Sequence, residues 1–327
     1  MVFSMPLSCL TGNAAAPSLV VATSVFPGQL LIHYMQYKDI LAVLLVVAIW
    51  GSNFVVIRVG LDELPPLLFT ALRFVFAAFP LVLLVPRPTA DWTLIAGYGL
   101  FQFAFQFGLL FSGIQFGFSP GLASLVIQLQ AFFTIGIAIL LLNERPHRLQ
   151  MVGAAAAFSG MCVVAAHLDG KPTIIGFVLI VLGAVCWSVA NILTKKMGKI
   201  NALSLVAWGS MIAWPPLLLA SYLLEGRAAW SAAIERFSLT AAAAVLFQSY
   251  PNTILGFGIW SILMRKYAAA AVAPFTLLVP VTGMLTATLV LDEPLQWWKL
   301  AAGLLVLCGL ALNQLGTRSQ RSLAPAS

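Results

Sequence analysis

The sequence predicts an all-α membrane protein with ten transmembrane helices arranged as two inverted five-helix repeats. Three observations predict it: the composition, a series of apolar runs near bilayer length, and an echo between the two halves of the chain. Of 327 residues, 61% are hydrophobic and 8% charged, and mean hydropathy is +1.00. That leaves too few charged side chains to clothe a water-soluble surface.

Apolar stretches punctuated by charge, Pro or Gly run near 40–60, 66–86, 93–112, 119–142, 149–167, 173–194, 202–224, 239–263, 271–291 and 297–316. Each is close to the roughly 20 residues that carry a helix across the hydrocarbon core. Together they leave short connections, Glu225 to Ser238 excepted, and no room for a soluble domain. Residues 1–34 lack the basic start of a signal peptide, and Pro6, Pro17, Pro27 and Gly28 break their apolar stretches. They are expected to be a disordered or mis-assigned N-terminal extension, with Met35 a natural start. Residues 35–170 then form the first repeat, 171–316 the second, and 317–327 a cytoplasmic tail.

The echo has three parts. Trp50 with Arg58 matches Trp187 with Lys195, both pairs eight apart; Pro80 matches Pro215; Asn143-Glu144 matches Asp292-Glu293. Because five crossings is an odd number, the second copy enters from the opposite side, the inverted arrangement that places transporter binding sites near the midplane.

Orientation follows from the 17 Lys and Arg residues. Eleven fall on one side (Lys38, Arg87, Arg145, Arg148, Lys195, Lys196, Lys199, Arg265, Lys266, Arg318, Arg321) and five on the other, with Arg73 inside a span. The positive-inside rule puts both termini in the cytoplasm, in the cell inner membrane. The net charge of +7 and pI near 9.5 then belong to loops beside anionic membrane lipid, and there is no basic domain to hold nucleic acid. Cys9, Cys162, Cys186 and Cys308 lack metal-ligand spacing, and His33, His147 and His167 form no metal motif. No metal or cofactor is expected, and the histidines are expected to be solvated at loops and span ends.

Arg73 is the most informative residue. It is the only ionisable side chain between Pro66 and Val85, and an Arg at the centre of a membrane helix costs roughly 2.5–3.5 kcal/mol on insertion scales. Such a residue is a site candidate by default, the alternative being a side chain that snorkels outward.

Polar side chains mark the faces that avoid lipid. Tyr98, Gln102 and Gln106 recur at every fourth position and form one stripe. Ser124 and Gln128 do the same in the fourth span, Trp187, Asn191 and Lys195 in the sixth, and Trp50 with Asn53 in the first. Tyr250 and Asn252 flank Pro251, whose missing N–H frees a carbonyl. Taken singly, each is explained by interhelical packing; as a set beside Arg73 they suggest a solvated cavity, to which the deep Trp260 also belongs. Every acidic residue lies in a loop or at a span end, so nothing is placed to grip a lipophilic cation. An Arg with amides and indoles suits a small carboxylate-bearing solute such as an amino acid. Glu144 and Glu293 sit before Pro146 and Pro294 at helix entrances, where they read as helix caps or, alternatively, as gating contacts between the halves.

Several runs carry a resemblance in order along the chain: Trp50-Gly51-Ser52-Asn53-Phe54, Ala71-Leu72-Arg73-Phe74, Gly121 to Val126, Gln128 to Phe133, Asn143-Glu144-Arg145, Gly256 to Trp260 and Leu291-Asp292-Glu293. From about Met35 to Gly316 the chain resembles the EamA-type exporters of the drug/metabolite transporter superfamily. The resemblance implies two inverted repeats around a central cavity that exports cysteine-pathway metabolites such as O-acetylserine and cysteine by alternating access. Phe257 stands where the family often has Tyr, and Ser249-Tyr250-Pro251-Asn252 replaces a smaller, more apolar stretch, which leaves broader amino-acid or multidrug export open. Rivals of another class are a membrane-embedded lipid-modifying enzyme, for which no metal cluster or His base is visible, and a sensor or assembly subunit, which the short loops disfavour.

Overall fold

Prolines and capping side chains set where the helices begin. The computed structural model describes residues 35–142, 146–168, 170–267 and 272–323, and the expectations for 1–34 and for Glu144 lie outside the described residues. In chain order the helices are α1 Tyr37–Gly60, α2 Pro66–Leu84, α3 Trp92–Gln115, α4 Pro120–Leu141, α5 Arg148–Ala166, α6 Gly170–Met197 and α7 Ala202–Leu224. They continue with α8 Gly226–Glu235, α9 over residues 239–266, α10 Phe275–Leu291 and α11 Trp297–Leu323. Pro66 and Pro120 occupy first turns, where a missing N–H is harmless. Asn201 and Ser238 accept the first amides of α7 and α9, and His147 with Gln150 forms a capping box on α5.

The fold is all-helical among the described residues, as expected for a membrane protein. Among the described residues eight helices (α1 to α7 and α11) are long and apolar enough to cross a bilayer. The other two expected spans differ from that pattern. α10 is shorter, and α9 is a continuous helical run with Gln248, Ser249, Asn252 and Thr253 at its middle. The stretch after Glu225, read from sequence as a long connection, holds the short helix α8.

Helix pairing follows the two halves. α2 packs on α7 and α5 on α11, while α1 packs on α9 and α10 just as α6 packs on α3 and α4. Exchanging α1 to α5 for α6, α7, α9, α10 and α11 maps this pattern onto itself, the signature of a pseudo-two-fold axis between repeats. Without a hydrophobic force between helices in lipid, such pairs depend on close approach. At the α5–α11 crossing a Cβ on Gly153 would stand 2.5 Å from the Gly309 carbonyl oxygen, and one on Gly309 would meet that of Gly153. Only glycine fits both positions.

Candidate functional site

Two widened helical stretches frame the site. Gly99–Phe105 in α3 and Gln248–Leu255 in α9 are π-helical, and the pseudo-two-fold exchanges them. A π turn inserts a residue into the α-helical ladder and recurs at functional sites. In α9 the local cause is Pro251, which cannot donate and whose ring crowds the preceding turn. In α3, Gly99 lies so close to α7 that a Cβ would stand 2.7 Å from the Gly209 carbonyl oxygen.

Arg73 projects from the middle of α2 against these stretches and is 0% exposed, which excludes outward snorkelling. Its Nε and Nη2 donate to Thr253 Oγ1 at 3.2 and 3.1 Å. The Thr253 hydroxyl donates in turn to the Gln248 carbonyl, five residues back, at 2.8 Å. The guanidinium carbon lies 3.9 Å from the Phe107 ring centre and 5.0 Å from that of Phe74, favourable cation–π distances. Among the described residues Nη1 has no hydrogen-bond partner and no acidic side chain pairs with Arg73. A buried cation without a counter-ion is costly in a low-dielectric interior.

Beside it lies a cavity of about 290 Å³, near the lower end of the roughly 300–1,000 Å³ usual for small-molecule sites. Nine of the thirteen residues predicted to bind substrate line it. Of these, Arg73, Gln102, Gln106, Asn53, Asn252 and Gln128 are buried, and Trp50, Trp187 and Trp260 are half-buried. Gln102 Nε2 donates to Gln106 Oε1 at 2.6 Å. The Trp50 indole donates to the Asn252 carbonyl at 3.2 Å and packs on Trp260 and Phe257. The lining then continues to half-buried Thr276, Asn313 and Gln314, where α10 begins and α11 nears its end. The cavity therefore approaches the same end of the bundle as the start of α1.

Four predicted residues stand elsewhere. Tyr98 precedes the π stretch that re-aims Gln102 and Gln106, so the every-fourth stripe breaks and its ring packs on Phe103 and Gly209. Ser124 donates to the Gly121 carbonyl at 2.6 Å and reaches that of Pro280 at 3.4 Å, a contact between α4 and α10. Asn191 donates to Gln130 Oε1 at 2.7 Å and Thr134 Oγ1 at 3.1 Å; it positions a lining residue instead of lining. Tyr250 is 38% exposed on the outer face of α9.

The sequence reading missed Gln130, Phe107, Thr276, Asn313 and Gln314 as lining residues. Gln128 and Gln130 would stand about 160° apart round an α-helix, but the 3₁₀ turn Ile127–Leu129 narrows that to about 120°. For Asn313 and Gln314 the available signal was a polar pair near the end of the last span.

At the opposite end of the bundle, carboxylates tie the halves together. Glu293 accepts from Ser119 Oγ and, at 3.4 Å, from the Gly121 amide, and lies 3.8 Å from Lys299 Nζ. It thus caps α4, in the other repeat, and not the helix that follows it. Glu225 accepts from the Leu67 and Leu68 amides at 2.6 and 3.2 Å and from Ser221 Oγ at 2.5 Å. Glu63 accepts from Ser238 at the head of α9. Each places negative charge at a helix N-terminus, where the dipole favours it.

A helical bundle that crosses the membrane many times around a largely apolar cavity with a cation and several amides in its lining is the build of a solute transporter. The EamA-like transporter family model matches the chain twice, over residues 38–166 and 174–314, and the chain belongs to that family. It is 42% identical over 294 residues to a "Probable amino-acid metabolite efflux pump" of Salmonella typhimurium, covering 88% of this chain and 98% of that protein. A protein of the same description from Escherichia coli is 39% identical, with 90% and 100% covered. A solved crystal structure superposes with a TM-score of 0.59 at 17% identity, covering 89% of this chain and all of the other, a likeness of fold alone.

Proposed function

We propose that this protein exports small amino-acid-like metabolites, O-acetylserine and cysteine among them, across the inner membrane by alternating access. The observation that carries the reading is the Arg73 guanidinium: wholly buried, lining the cavity, and without an acidic partner among the described residues. A carboxylate supplies the missing charge through paired hydrogen bonds. The descriptions of the Salmonella and Escherichia relatives support the same class of solute.

In this reading the cavity loads from the cytoplasmic end, where Lys and Arg concentrate, and both termini lie there. The Glu293, Glu225 and Glu63 caps hold the outer end shut while the inner end is open. Rocking of one repeat against the other breaks those caps and exposes Arg73 to the outside. Trp50, Trp187 and Trp260 give the walls an apolar character, which favours a range of side chains over a single one and supports broader amino-acid export as a second reading.

Efflux tests it. Cells overexpressing the protein and loaded with a cysteine precursor are expected to accumulate O-acetylserine and cysteine in the medium. Medium levels equal to those of a vector control would remove these two solutes as permeants.

A further inference from the structure

Three buried polar atoms around the cavity lack hydrogen-bond partners among the described residues: Arg73 Nη1, Asn53 Oδ1 and Asn252 Oδ1. One is a cationic donor and two are carbonyl acceptors. All three residues line the same cavity, and one frame holds them. Gln248 stands at its centre, 0% exposed, and donates Nε2 to the Asn53 backbone carbonyl at 3.4 Å. That fixes its Oε1 as the acceptor for Asn252 Nδ2, also at 3.4 Å. The Asn252 amide is thereby oriented with its donor engaged and its oxygen free. The Gln248 backbone carbonyl receives the Thr253 hydroxyl, which fastens Arg73.

We propose that this frame reads both charged ends of a zwitterion, Arg73 taking the carboxylate and the oxygens of Asn53 and Asn252 taking the α-ammonium. The assignment rests on the export reading above and deepens it. An ammonium has three donors and no acceptor, the complement of two amide oxygens; a carboxylate has acceptors only, the complement of a guanidinium. A dicarboxylate would need a second cation, and Arg73 is the one Lys or Arg lining the cavity among the described residues. A simple amine would approach Arg73 as a like charge. A 2-hydroxy or deaminated acid would leave the two amide oxygens dry, and sites built around a hydrogen bond reject analogues that lack it. An N-acylated amino acid loses the positive charge and brings bulk to the same oxygens.

The test is counterflow in proteoliposomes of the full-length protein, preloaded with L-cysteine under reducing conditions and exposed to radiolabelled L-cysteine. The competitors are N-acetyl-L-cysteine, 3-mercaptopropionate, which lacks the amine, and cysteamine, which lacks the carboxylate. Each is expected to compete roughly tenfold or more weakly than unlabelled L-cysteine. In Asn53→Ala with Asn252→Ala, the gap between L-cysteine and 3-mercaptopropionate closes while cysteamine stays weak, because Arg73 remains. The wild-type panel needs no variant and decides by itself. If wild-type protein exchanges L-cysteine while 3-mercaptopropionate and N-acetyl-L-cysteine compete equally well, ammonium recognition is wrong and the export reading stands. If none of the four compounds supports or inhibits exchange, the export of cysteine falls and this proposal falls with it.

Discussion

Thr253 and Arg73, far apart in sequence, are joined by a double hydrogen bond in which one hydroxyl oxygen receives Nε at 3.2 Å and Nη2 at 3.1 Å. The bond fastens the only cation of the cavity among the described residues to the π-helical stretch of α9 and leaves Nη1 facing no partner. Replacing Thr253 by Val keeps the shape and removes the acceptor. A hydrogen bond to a charged group contributes about 1.5–3 kcal/mol, so the concentration for half-maximal transport should rise on the order of tenfold or more. Thr253→Ser should behave as wild type. Transport kinetics in proteoliposomes check both.

Gly256 supports the other wall. A Cβ there would stand 2.5 Å from Trp50 Nε1, and that nitrogen is held by the Asn252 carbonyl. Gly256→Ala should displace the indole at about 1–3 kcal/mol of strain, lower transport and leave membrane insertion unchanged. Tryptophan emission and transport rate, measured on one preparation, report the two effects together.

The carboxylate caps should hold closed the end of the bundle that, in the proposed orientation, faces outward. Loss of a cap costs about 0.5–2 kcal/mol, enough to shift a near-balanced pair of conformations several-fold. Leu122 is buried in α4 beside the Glu293 contact. In a background lacking the native cysteines, Leu122→Cys should resist a membrane-impermeant thiol reagent and become reactive when Glu293 is changed to Ala. Equal labelling with and without Glu293 would show that the cap does not govern opening.

The α5–α11 crossing should tolerate no side chain. Gly309→Val places methyl groups where the Gly153 carbonyl lies, and the expected result is a sharp loss of folded protein by size-exclusion chromatography. The same change at Gly136, which has nothing within 4 Å of an added Cβ, should leave the yield near wild type.

Fold class was legible because hydropathy is a property of each span alone, and the spacing of charge and proline marked the ends. Arg73, Gln102, Gln106 and Asn252 were legible for a similar reason: a polar side chain within an apolar run must find a polar interior. What sequence did not display was helix irregularity away from Pro251. Tyr98 fell off its stripe because π turns begin after it, and Gln130 joined the cavity through a 3₁₀ turn. The first goes with the close packing of Gly99 on Gly209, and periodicity assumes a straight helix. The roles of Glu63 and Glu225 were hidden because a loop carboxylate carries no sign of which distant helix it caps.

The most direct measurement compares wild type with Arg73→Gln in cysteine counterflow, using preparations matched for abundance and monodispersity. The glutamine variant should lose exchange by on the order of a hundredfold, since it removes the charge and the paired donors proposed to meet a carboxylate. Exchange at the wild-type rate by a folded Arg73→Gln protein would contradict the assignment of that guanidinium to the solute.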